Sequence, residues 1–259
     1  MNRRDVLRRL VVALGMSLQA CKGGVEPPVG GNPEWPNEPG GLTLISDYGF
    51  EDVLPVGVNA AVDSQWFINN AGLASRVLDT SAPASASFVG QWSYPVGFAG
   101  GDDPATMYGM VGGGNEMYIG FYWKVSNPWQ DHPVANKIAF QFAGGGGAGG
   151  QTFIALESGS HILVPTLEFS TDFARNLEPN VDSTVVTLGV WHRIEWYMNK
   201  STGTMKWWLD GVLQGHYTNV NYPPEPFDEF KFAPTWGGTG GTKSEQDYFW
   251  YDHVRLSNR

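Results

Sequence analysis

The chain has 259 residues, a single cysteine and a formal charge of −10 at neutral pH. That anionic balance repels nucleic acid, and one thiol excludes an internal disulfide or a thiolate metal site. Thirty-four glycines beside 11 Trp, 10 Tyr and 14 Phe, with only 16% charged residues, suit short strands joined by tight turns.

Arg3, Arg4, Arg8 and Arg9 flank or precede a mostly apolar stretch, Leu10 to Leu18, which is too short to cross a bilayer. Leu18-Gln19-Ala20-Cys21 then resembles the lipobox of bacterial lipoproteins. The resemblance implies cleavage before Cys21 and lipidation of its thiol, each buried methylene of the acyl chains contributing ~0.8 kcal/mol. An ordinary secretory signal with an incidental cysteine is the alternative. Asn2-Arg3-Arg4-Asp5-Val6-Leu7 also looks like a twin-arginine export signal, so both export routes stay open. Residues 1–20 are read as a lipoprotein signal peptide. The expected location is the bacterial cell envelope, on a periplasmic or extracellular face, with the membrane met through the lipid only.

Lys22 to Gly41 holds five prolines, six glycines and almost no apolar residues, so residues 21–41 are read as a flexible linker. Residues 42–259 have the length of one all-β domain, expected to be monomeric. Residues 1–20 carry four Arg and one Asp; without them the charge is −13.

Alternation then marks the strands. In Met117 to Val125 the odd positions are apolar, against Tyr118, Tyr122 and Lys124. In Lys137 to Phe142 the same rule puts Ile138, Phe140 and Phe142 in the core and Lys137 and Gln141 outside. Leu167 and Phe169 bracket an outward Glu168. Trp191 to Gly211 reads as a β-hairpin. Its inward faces are Ile194, Trp196, Met198 and Met205, Trp207, Leu209; its outward faces are Arg193, Glu195, Tyr197 and Lys206, Trp208. At the end, Trp250, Val254 and Leu256 share a face with Asp252, opposite Tyr251, His253 and Arg255. Half-buried antiparallel strands without a strong helical stretch predict an all-β, antiparallel two-sheet β-sandwich.

The order Trp191-His192-Arg193-Ile194-Glu195-Trp196, Met205-Lys206-Trp207-Trp208-Leu209-Asp210-Gly211 and Tyr248-Phe249-Trp250-Tyr251-Asp252-His253-Val254-Arg255-Leu256-Ser257 resembles the concanavalin A-like lectin/glucanase jelly roll. Gly49-Phe50-Glu51 and Asn136 to Phe140 are similar to members near the polysaccharide lyases. The resemblance covers most of residues 42–259 and implies a jelly roll with glycans lying across a concave sheet. The motifs mark turns and core and do not fix an activity.

Three functions follow from it: a polysaccharide-recognising protein, a lyase cleaving a uronate-containing glycan by β-elimination, or a structural or adhesion lipoprotein without a sugar ligand. Glycoside hydrolysis in this fold needs a Glu-x-Asp-x-x-Glu strand, and no such run occurs. β-Elimination needs a group that neutralises the uronate and a base for the C5 proton. Lys137, Arg193 and Tyr197 are the catalytic candidates, with Gln141, His132 and His161 also able to serve. The alginate-lyase signatures Arg-x-Glu-Leu, Gln-Ile-His and Tyr-x-Lys-Ala-Gly are absent. Tyr122, Lys124, Gln141, Glu195, Lys206, Trp208 and Trp236 are candidate sugar contacts. The glycine-rich stretches Ala143 to Gln151 and Trp236 to Thr242 look like rim loops of a groove. They lack the ending of a phosphate loop. A structural Ca²⁺ would draw on Glu51 and Asp252, although Ca²⁺ wants six to eight oxygens.

Overall fold

The computed structural model describes residues 32–84, 88–145 and 147–259. Cys21, the signal peptide and the first part of the linker lie outside the described residues. Among the described residues, sixteen strands form two eight-stranded antiparallel sheets, the two-sheet sandwich expected from the alternation.

The first sheet runs β14 (Val212–Tyr217), β13 (Thr204–Leu209), β12 (His192–Asn199), β7 (Glu116–Val125), β16 (Asp247–Asn258), β5 (Phe88–Tyr94), β4 (Ala74–Leu78), with β1 (Thr43–Tyr48) also paired to β16. The second runs β11 (Asp172–Asn176), β10 (Leu163–Phe169), β9 (Gly150–Leu156), β8 (Asn136–Ala143), β15 (Phe227–Phe232), β6 (Ala105–Gly114), β3 (Trp66–Asn70), β2 (Gly57–Ala61). Between them lies an aromatic core. Phe121, Trp92, Phe230, Phe232 and Tyr251 are all buried and meet edge-on or tilted, the geometries that ring quadrupoles favour.

The inward rows of β7, β12 and β13 are those the alternation assigns: Ile119, Phe121, Trp123, Ile194, Trp196, Met205 and Trp207 are all fully buried. Register shifts break the pattern elsewhere, and those in β8 and β16 move residues singled out above. In β8 the register shifts between Lys137 and Ala139, so Ile138 and Ala139 both face the core. One extra residue inverts everything beyond it. Gln141 therefore points inward, fully buried, its Nε2 donating to the carbonyls of Phe142 and Glu229. Phe140 and Phe142 turn outward instead, into a separate cluster with Phe153. In β16 the shift falls between Asp252 and Val254, with His253 at φ 38°. Tyr251 is thus core, and Asp252 sits opposite Tyr122 on the outer face of the first sheet.

The expected linker differs as well. Residues 32–41 lie as a strap on the outer face of the first sheet. Trp35 is fully buried against Tyr122 and His253, with ring centroids 5.4 Å away in each case. A Cβ on Gly120 would stand 2.4 Å from the Trp35 ring, so only glycine admits the indole there. Glu38 pairs with Arg255 at 2.7 Å and accepts from the Ser257 hydroxyl. The packed domain begins by Asn32, not at Leu42.

Burial also sets an alkaline limit. Tyr94, Tyr118 and Tyr251 are fully buried, and desolvation holds each phenol well above its ordinary value of 10. Above about pH 10 the unfolded chain releases these protons and the native one keeps them, so the unfolded state binds fewer protons and stability falls as pH rises. Denaturant midpoints measured from pH 8 to 11.5 should decline only above about 10; a flat profile there would contradict this burial.

Candidate functional site

The outer face of the second sheet carries a groove of about 280 Å³, between strands β8 to β11 and the loop after β15. The register lines up one row across it: Asn176, Thr166, Phe153, Phe140, Lys231, Tyr108 and Phe67 are successive cross-strand neighbours. A parallel row holds Phe173, Glu168, Gln151, Phe142, Glu229 and Met110. Side chains directly opposite on one face touch, so the rows form a continuous surface. Its centre is aromatic, flanked by Thr166, Glu168 and Gln151 on one side and Lys231 and Glu229 on the other, with exposed Phe173 and Met110 at the ends of the second row.

Lys137 is the groove's cation. The bulge leaves it outward, where its ammonium sits 4.6 Å from the centre of the Phe153 ring and 5.8 Å from that of Phe140. Among the described residues no carboxylate lies within ion-pair distance of it. The other cation of the face, Lys231, is held by Glu229 at 2.9 Å and lies over Phe142 at 4.2 Å. Glu168 accepts from Gln151 Nε2 at 2.6 Å, and the Thr166 hydroxyl donates to Asn176 Oδ1 at 2.9 Å. Val134, Gly237 and Gly238 make the opposite lip, so the second glycine-rich stretch does border this groove. An ammonium, two amides, a hydroxyl and a carboxylate around an aromatic floor can hold a hydroxyl-rich or anionic ligand through hydrogen bonds and ring stacking.

The sequence-predicted residues do not converge. Lys137 and Gln141 belong to the second sheet, and Gln141 faces its inner side. Arg193, Glu195, Tyr197, Tyr122 and Lys206 belong to the first sheet. Arg193 and Glu195 lie under the strap: Glu195 is fully buried and accepts from Arg193 Nε (3.0 Å), Tyr118 OH (2.7 Å), Asn37 N (3.1 Å) and Asn37 Nδ2 (3.0 Å). Tyr122 is covered by Trp35, their rings tilted at 47°. Tyr197 donates to Glu116 at 2.5 Å, and burial with that carboxylate pushes its phenol up to about 12, the wrong direction for a base. Lys124 lies between the Trp191 and Trp250 rings and pairs with Asp79. Burial would raise the Asp79 carboxyl, but Lys124 and Ser81 hold it down at about 2.

Trp208 and Trp236 are both buried rather than open as platforms. Trp236 closes the end of the core, its Nε1 donating to the Gln130 carbonyl at 2.8 Å. The Ca²⁺ pair does not assemble either. Asp252 accepts from the Ala84 amide at 3.2 Å, whereas Glu51 is exposed. Among the described residues no cluster of three or more His, Cys, Asp or Glu could hold a metal. His161 is bonded to Asp131 at 2.9 Å and His192 to Asp210 at 2.7 Å.

The residues missed by the alternation are Phe140, Phe142, Phe153, Thr166, Asn176 and Lys231. Thr152 to Leu156 is nearly all apolar, which marks a strand covered on both sides, and that run could have exposed an aromatic outer face.

No family model matches the sequence, and no curated protein does. Solved structures match in fold. One is the alginate lyase Aly36B, solved as a double mutant with an alginate trisaccharide: TM-score 0.56, 12% identity, covering 82% of this chain and 97% of that one. Another comes from work on endo-acting O-glycanases of the human gut microbiota that initiate mucin breakdown: TM-score 0.57, 10% identity, covering 84% and 100%. A third is the cellulose induced protein Cip1: TM-score 0.51, 15% identity, covering 76% and 92%. At such identities the likeness is one of fold.

Proposed function

We propose that this domain binds a polysaccharide along the outer face of the second sheet, with the groove at Lys137 as the central subsite. The observation that carries the reading is the ammonium of Lys137, poised over Phe153 with no ion-pair partner among the described residues, in a groove also lined by Thr166, Glu168 and Asn176. Aromatic rings stack on sugar C–H faces, amides and hydroxyls bond sugar hydroxyls, and the lysine meets a carboxylate or ring oxygen. The fold's glycan-handling neighbours support the ligand class. Recognition is favoured over cleavage, because the described residues lining the groove include no Tyr or His beside Lys137 and offer only Glu157 and Glu168 as further proton-transfer groups. The Arg-rich start and Cys21 support a place at the cell envelope, with the domain tethered by lipid.

Affinity electrophoresis against neutral and uronate glycans tests the reading. A retarded wild-type band is expected for at least one glycan. Lys137→Ala should weaken that binding roughly tenfold or more, the worth of one charged hydrogen bond at ~1.5–3 kcal/mol, with the melting temperature unchanged. Ultraviolet absorbance from unsaturated products in the same mixtures would instead establish a lyase. Wild-type protein that binds none of the panel sinks the proposal.

A further inference from the structure

One wall of the groove is built on a single imidazole. His132 is 2% exposed and stands directly behind the lip. Its Nδ1 faces the Val134 amide at 3.2 Å and the Gly238 amide at 3.3 Å; its Nε2 faces the Gly240 carbonyl at 2.9 Å. Two amides can only donate, so Nδ1 accepts, and a carbonyl can only accept, so Nε2 carries the proton. The ring is therefore neutral and in one tautomer.

Both amides belong to groove-lining residues on different loops. Val134 precedes β8 and Gly238 follows β15, and both line the groove. A Cβ on Gly238 would stand 3.4 Å from Val134 Cγ1, so the two loops touch at the lip. The packing leaves the ring no alternative position. Trp236 meets it edge-on with centroids 4.8 Å apart, and a Cβ on Gly237 would fall 1.8 Å from His132 Cγ. Asn136 Oδ1 accepts from the His132 amide at 3.0 Å, tying the residue to the start of β8, one residue before Lys137.

We propose that His132 is the positioning residue of this groove: its neutral Nε2–H tautomer clamps the Val134 and Gly238 loops together and so fixes the wall opposite Thr166 and Asn176. The site reading it serves is the one proposed above. A preorganised wall saves the ligand the cost of ordering it, and a subsite loosened by an ångström loses much of its affinity. The imidazole makes no contact with ligand; it acts through the two loops.

Two variants separate clamping from space-filling. His132→Asn keeps an acceptor near the Nδ1 position, and His132→Leu fills the space with none. Amide hydrogen exchange reads the clamp without any ligand. The Val134 and Gly238 amides should be protected in wild type, exchange at least about tenfold faster in the Leu variant, and recover most of the protection in the Asn variant. Glycan affinity, on whichever panel member binds, should fall roughly tenfold in the Leu variant and less in the Asn variant. Equal protection of the two amides in wild type and Leu variant overturns the clamp. Released amides with unchanged affinity overturn the positioning role. Wild type that binds no glycan sinks the site reading instead, and the exchange data still decide whether His132 holds the wall.

Discussion

Trp207→Asp should leave no cooperative unfolding transition. Trp207 is fully buried on β13, stacked on Tyr217 with centroids 6.0 Å apart and planes 11° apart. Truncating a core tryptophan costs ~3–5 kcal/mol. A carboxylate buried in the same place adds several more, the cost of taking a charge out of water. Against a total stability of roughly 5–15 kcal/mol, the sum removes most or all of the margin. Lys206→Ala, one residue earlier on the opposite face, should cost under ~1 kcal/mol. Near-ultraviolet circular dichroism and thermal melts compare them directly. A Trp207→Asp protein that melts like wild type would mean the inward row of β12 and β13 is misassigned.

That row is legible because β12 pairs with β7 and β13 in unbroken register. Ile194, Trp196 and Met198 pair with Leu209, Trp207 and Met205 without a slip, so period two reads directly as inside and outside. β8 was not legible for the opposite reason. Nothing in Asn136 to Ala143 marks the extra residue, because Ile138 and Ala139 are both apolar and either fits the core. The bulge exchanges Gln141 for Phe140 and Phe142 on the outer face. It left Lys137 outward, on its expected face, but on a different sheet from Arg193 and Tyr197. Which sheet a strand joins depends on pairings far apart in sequence, such as β8 with β15, and local alternation carries none of that information. The strap was misread for a compositional reason. Proline and glycine argue for a linker, yet Trp35 and Glu38 are two anchors spaced to reach Gly120 and Arg255.

The strap makes Arg193 a stability residue, and Arg193→Met should lower stability by about 3 kcal/mol. The guanidinium donates from Nε to Glu195 and from Nη1 to the Glu34 carbonyl at 3.1 Å, so it joins the sheet to the strap. Without it, the fully buried Glu195 keeps its bonds to Tyr118 and Asn37 but loses its one ion-pair partner among the described residues. Removing one member of a buried pair costs ~3–5 kcal/mol, and the surviving hydrogen bonds keep the loss near the lower bound. For a domain of this size that is a fall in melting temperature of roughly 6–12 °C. Glycan binding should not change, because Arg193 and the groove lie on the outer faces of different sheets. Glu195→Gln should cost less than Arg193→Met, since the amide oxygen still accepts from Tyr118 and the charge left behind, on Arg193, is partly exposed and can be hydrated. Melting curves and binding on the same Arg193→Met sample decide the matter. Unchanged melting with lost binding would return Arg193 to a ligand site and place the glycan under the strap rather than over Lys137.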